Sequence, residues 1–209
     1  MGWVLALPPG VRPAGVCAAL AVGWWCSLPT EGLNSVLTTH RPLPRYRPRI
    51  ALPPYAYVPG RAPHPIKGVG GHSRDREPFD DAPLDHSNWS RHSGFLFGID
   101  LFNRGFFWEA HEVWEEAWHR VAPRSPARLL LQALIQIAAA ALKARSGDLV
   151  RARGLAESAL DKLGRLDAPL GFGLVLADLV AIARDASDPS LPPPRIALVN
   201  RRARPRSSK

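Results

Sequence analysis

The segment FNRGFFWEAHEVWEEAWHR, Phe102 to Arg120, gathers side chains that can ligate a cation or move a proton. His111 and His119 lie among Glu109, Glu112, Glu115 and Glu116. On a helix turning 100° per residue, His111, Glu115 and Trp118 share one face, and Glu109, Glu112 and Glu116 form the stripe beside it. The H-E-x-x-E pattern is one residue short of the H-E-x-x-H of zinc proteases, which needs histidines at i and i+4 with a glutamate base between them. Here position i+4 is Glu115. His119, at i+8, lies about 12 Å along the axis from His111, too far for both to hold one ion. Protease chemistry is therefore not expected. A di-iron bundle needs acids on facing helices, and the next apolar helix offers only Gln132 and Gln136.

The ligand set that remains is His111 and Glu115, joined by donors from elsewhere in the chain. His64 and His72 are the leading candidates; His86, His92 and Asp100 are the others. His64 sits in P-H-P, where Pro63 and Pro65 stiffen the backbone, and Gly68, Gly70 and Gly71 permit a tight return to His72. Such a nitrogen and carboxylate set suits Zn²⁺, Mn²⁺ or Fe²⁺ better than Mg²⁺. With an open coordination position it would activate water, and Glu112 is the candidate base. The plainer reading is an acidic face in solvent, with His111 in a private hydrogen bond and Trp108, Trp114 and Trp118 as packing.

The rest of the sequence must position these groups. Phe95, Leu96, Ile99 and Phe102 follow helical spacing from near His92, and Gly105 marks a break before a second helix over Phe106–Arg120. Ser125 and Pro126 read as N-cap and first residue of a long helix to Ser146. That helix is apolar on most sides, so it belongs at the centre, with Ala138–Ala141 allowing close approach. Gly147 and Asp148 turn the chain into a helix over Leu149–Leu166, and a fifth is expected over Leu170–Asp185. No stretch alternates with period two. The fold class is all-α: an antiparallel bundle of about five helices over residues 92–186. Before it, residues 41–91 form a proline-rich extended strap.

Two stretches carry a resemblance. FLFGIDLFNRGFFWEAHEVWEEAWH, followed by LLLQALIQIAAAALKA, resembles the signature of the bacterial and archaeal family named domain of unknown function 309. Ala133 stands where the family usually has glycine. The strap from Pro53 to Ser73 is similar to that of one subgroup. The resemblance implies a compact helical bundle and brings no activity. It places His64, His72, His111, Glu112 and Glu115 inside motif blocks, as candidates for a shared polar site.

Composition sets the frame. The chain has 209 residues, 46% of them apolar, enough for one sizeable core. Its 22 prolines leave the span from Asn88 to Ala122 free. The net charge of +9 lies in the flanks, since residues 95–185 hold 11 basic and 11 acidic residues. Basic tails on a neutral domain argue against sequence-specific nucleic-acid binding. Cys17 and Cys26 both precede the globular part, which fits a cytoplasmic protein without a disulfide framework. The apolar run Ala14–Pro29 is too short to span a bilayer, and no membrane partner is expected. Residues 1–40 read as a poorly ordered leader, with a non-native start in view, and residues 187–209 as a basic disordered tail that packs poorly from Pro192. The competing function is a non-enzymatic interaction or adaptor module, including a homo-oligomer. The single helix pair GDLVRARGLAESALDKLGRL has repeat-like texture, but repeat arrays need about three such units.

Overall fold

A computed structural model describes residues 44–199. These contain five helices: α1 Ser93–Phe102, α2 Phe107–Arg120, α3 Pro126–Arg145, α4 Leu149–Leu163 and α5 Leu176–Asp185. No strand occurs among the described residues. Each helix packs on the one before it, joined by short reversals, and the result is the expected all-α bundle. The leader expected over residues 1–40 lies outside the described residues.

Local signals account for most boundaries. The Ser125 hydroxyl accepts from Arg128 N–H at 3.2 Å and caps α3, with Pro126 in its first turn. Asp148 caps α4 through Arg151 N–H. Gly147, at φ +86°, makes the reversal between α3 and α4, and Gly105, at φ +79°, the one between α1 and α2. Helix α3 is long and apolar enough to cross a membrane, yet most of it is buried, between α2 and α4. Leu130, Leu131, Leu134 and Ile137 are fully buried there, and Ala133, Ala138 and Ala140 let its neighbours approach. Trp114 of α2 is also fully buried, and its indole N–H donates to Phe95 O at 3.2 Å. Gly98 makes room for that ring, because a Cβ there would overlap the indole nitrogen.

Two expectations need correction. The fifth helix begins at Leu176, not Leu170. Gly171 and Gly173 take left-handed conformations, φ +72° and +71°, in a loop pressed against His86 and Trp89 while Phe172 fills the core. The tail, expected to pack poorly from Pro192, is instead held as far as Val199. Ile196 is buried, and Asn103 satisfies its backbone on both sides, accepting from Ile196 N–H at 2.6 Å and donating to its carbonyl at 2.8 Å. Leu198 N–H donates to the Tyr46 hydroxyl at 3.0 Å, and Val199 N–H to Gly173 O at 2.8 Å. Residues 200–209 lie outside the described residues.

The strap runs over the bundle without regular structure and is pinned at several points. Asp100 in α1 is fully buried and accepts Tyr46 N–H at 2.9 Å and Arg47 N–H at 2.7 Å, with Arg45 and Arg104 beside it. Asp81 of the strap accepts from Ser93 and Gly94 N–H at the start of α1. His92 is the N-cap, its Nδ1 accepting from Phe95 N–H at 3.1 Å. Burial depresses the His92 pKa, against the pull of Asp81, and so favours the neutral ring that can accept that bond. Val58, Leu84 and Trp89 bury apolar area beneath the strap.

Candidate functional site between helix α2 and the strap

Helix α2 turns Phe107, Ala110, Val113, Trp114 and Ala117 into the core. Its acidic stripes are left at the boundary that the strap crosses. The segment His64–Ser73 folds back tightly, as its glycines predict: Gly68 N–H donates to His64 O at 2.8 Å and Ser73 N–H to Pro65 O at 3.0 Å. A Cβ on Gly71 would overlap the Pro65 carbonyl. Arg74 laces the loop by donating to Ile66 O and Gly68 O.

This return brings a strap histidine to α2. His72 Nε2 lies 3.1 Å from Glu109 Oε1, and its Nδ1 lies 2.8 Å from Ser73 Oγ. With Nδ1 accepting the serine hydroxyl, Nε2 carries the proton given to Glu109. The same Oε1 accepts Tyr57 N–H at 2.9 Å. Glu109 is only 4% exposed, and its Oε2 is buried with no hydrogen-bond partner in the protein. Burial raises the Glu109 pKa, opposed by the Tyr57 amide and His72. Glu116 is raised for the same reason, opposed by its ion pair with Arg76.

Between strap and helix lies a cavity of about 250 Å³. Glu109, Glu112 and Glu116 line it from α2, Phe97 and Leu101 from α1, and Ile66, Ser73, Arg74 and Arg76 from the strap. The sequence places the candidate base Glu112 on this stripe and the helical ligands His111 and Glu115 on its neighbour. The signal for Glu109 was thin. A glutamate one helical step from an apolar face gains significance only once something covers it.

The neighbouring stripe is organised as well. His111 Nδ1 lies 3.3 Å from Glu112 Oε1 and 3.9 Å from Glu115 Oε2. It is shielded from solvent and makes no hydrogen bond. His111, Glu112 and Glu115 offer ligand atoms within 4.8 Å of one another, and among the described residues theirs is the one group of three with this property. His119 stands 4.0 Å from Glu115 but is largely exposed. Neither strap histidine belongs to that group. His64 accepts Ile66 and Lys67 N–H on Nδ1 and packs its ring against Tyr57 and Trp108. The outlying donors are engaged elsewhere: Asp100 with the strap, His92 as a cap, and His86 against Phe172. Glu112 joins the two stripes, since it lines the cavity and flanks His111.

No curated protein and no solved structure matches the chain. A family model does match, over residues 95–155, a span that carries α1 to α3 and both stripes of α2 but not the strap that covers them. The match is to the family described as domain of unknown function (DUF309), and it supports that family assignment over this span.

Proposed function

We propose that this helical protein holds a divalent transition metal on His111, Glu112 and Glu115, at the edge of the strap-covered cavity. The observation that carries the reading is His111 Nδ1, out of solvent and without a hydrogen bond, between two carboxylate oxygens. A neutral imidazole in that position has an unused lone pair, and burying such a group unpaired costs about 1–3 kcal/mol. The donor set fits the ion: ligands about 2.1 Å from a common centre stand roughly 3–4 Å apart, and one nitrogen with two carboxylates suits Zn²⁺, Mn²⁺ or Fe²⁺. Three protein ligands leave positions open, and an ion so held supplies Lewis acidity and activates water. Glu112 would then serve as a ligand and not as the base suggested for it. His72 stays outside the ion in this reading, since Glu109 and Ser73 engage both its nitrogens.

The test is metal content. Protein purified without a histidine tag, stripped with chelator and dialysed against Zn²⁺ or Mn²⁺ should retain about one equivalent, and His111→Ala and Glu115→Ala should each abolish retention. Less than about a tenth of an equivalent in the unaltered chain refutes the reading.

A further inference from the structure

The wall of the cavity carries a second chemistry that does not depend on the ion. Two of its carboxylate oxygens, Glu109 Oε2 and Glu116 Oε2, are shielded from solvent and have no hydrogen-bond partner in the protein. Glu109 is the sharper case, because its side chain is 3% exposed and its Oε1 already holds the strap. The two residues stand at i and i+7 on α2, about 10 Å apart along the axis, with Glu112 between them. No single inorganic cation can satisfy both ends of such a row, because ligand bonds are about 2 Å long.

The cationic side chains at the cavity do not neutralise the row. Arg76 is paired with Glu116 Oε1 and also donates to Glu77 O. Arg74 is spent on the carbonyls of Ile66 and Gly68. Three carboxyl groups and two guanidiniums therefore line the cavity, and of these Arg76 pairs with Glu116. Apart from Ser73 the remaining lining is apolar and includes Phe97, Leu101, Val113, Trp108 and Ile66.

We propose that the cavity binds a linear organic diammonium, a small polyamine, with one ammonium on Glu109 Oε2 and the other toward Glu116 Oε2. Its methylene chain lies along the apolar wall. Each ammonium gives a charge-assisted hydrogen bond to an oxygen that lacks one. The spacer buries methylenes where a hydrated inorganic ion would meet hydrocarbon.

The experiment is calorimetric titration of the full chain with putrescine and spermidine. n-Butylamine serves as the single-headed control, and magnesium chloride at matched ionic strength as the inorganic one. Putrescine or spermidine should bind at least about tenfold more tightly than n-butylamine, the return expected from a second charge-assisted bond. Magnesium should not compete. Glu109→Gln, which keeps the Oε1 position for Tyr57 and His72, should weaken the diamine at least about tenfold. Glu116→Gln, at a partly exposed position, should do the same and covers the case in which the buried variant fails to fold. His111→Ala should leave diamine binding unchanged, which separates this site from the metal reading. Diamine affinity no greater than that of n-butylamine, displacement by magnesium, or binding indifferent to both glutamine variants overturns the proposal.

Discussion

Asp100 and Glu109 are both buried helical carboxylates that accept N–H groups from the strap, and they are satisfied differently. Asp100 uses both oxygens, one for Tyr46 N–H and one for Arg47 N–H, with Arg45 and Arg104 within 4.0 Å. Glu109 puts Tyr57 N–H and His72 on a single oxygen and leaves the other buried and unpaired. The first arrangement is complete as a fold anchor. The second keeps a buried acceptor unused, at about 1–3 kcal/mol, beside a cavity. Both residues tie down the strap, but only Glu109 has bonding capacity that folding leaves over.

The largest effect should come from breaking the complete anchor. Asp100→Ala strands two backbone N–H groups and removes the carboxylate beside two arginines, for a loss of about 3–5 kcal/mol in denaturant unfolding. The strap should then be cleaved by protease before the helices. A loss below about 1 kcal/mol would show that Asp100 is not what holds the strap. A smaller, pH-dependent effect should mark Glu109. Its folded pKa is raised by burial, so its contribution is fully present below the unfolded value of 4.5 and is lost as pH rises through the folded one. Metal-free protein should therefore lose stability over that window, and Glu109→Gln should flatten the loss; a slope unchanged in the variant would mean that some other group titrates there. The smallest effect belongs to the rim. His111 is 27% exposed and supports no element, so His111→Ala should cost less than about 0.5 kcal/mol in metal-free protein. A loss comparable to that of Asp100→Ala would class His111 with the anchors.

Much of the fold could be read from the residues because its signals are local. Ser125 with Pro126, Gly147 with Asp148, and the break at Gly105 act within one turn of chain. The apolar circumference of α3 needs no partner to be recognised. The fifth helix starts six residues later than expected, because a glycine-rich loop precedes it. The conformations of Gly171 and Gly173 are set by contacts with His86 and Trp89, some 85 residues earlier in the chain. The tail packs for a similar reason, since among the described residues its hydrogen-bond anchors Asn103, Tyr46 and Gly173 are remote in sequence.

At the candidate site, sequence alone determined that α2 carries His111 and four glutamates in two adjacent stripes, and that a stiff, glycine-hinged strap holds His64 and His72. It also determined the all-α class, because helical periodicity and caps are properties of neighbouring residues. Only the tertiary structure decided that His72 meets Glu109, that the strap closes over the Glu109 stripe, and that Glu112 belongs to both stripes. The physical reason is burial. Helical spacing fixes the direction of a side chain, but whether a carboxylate is solvated, paired or left with an unused oxygen depends on which distant segment covers it.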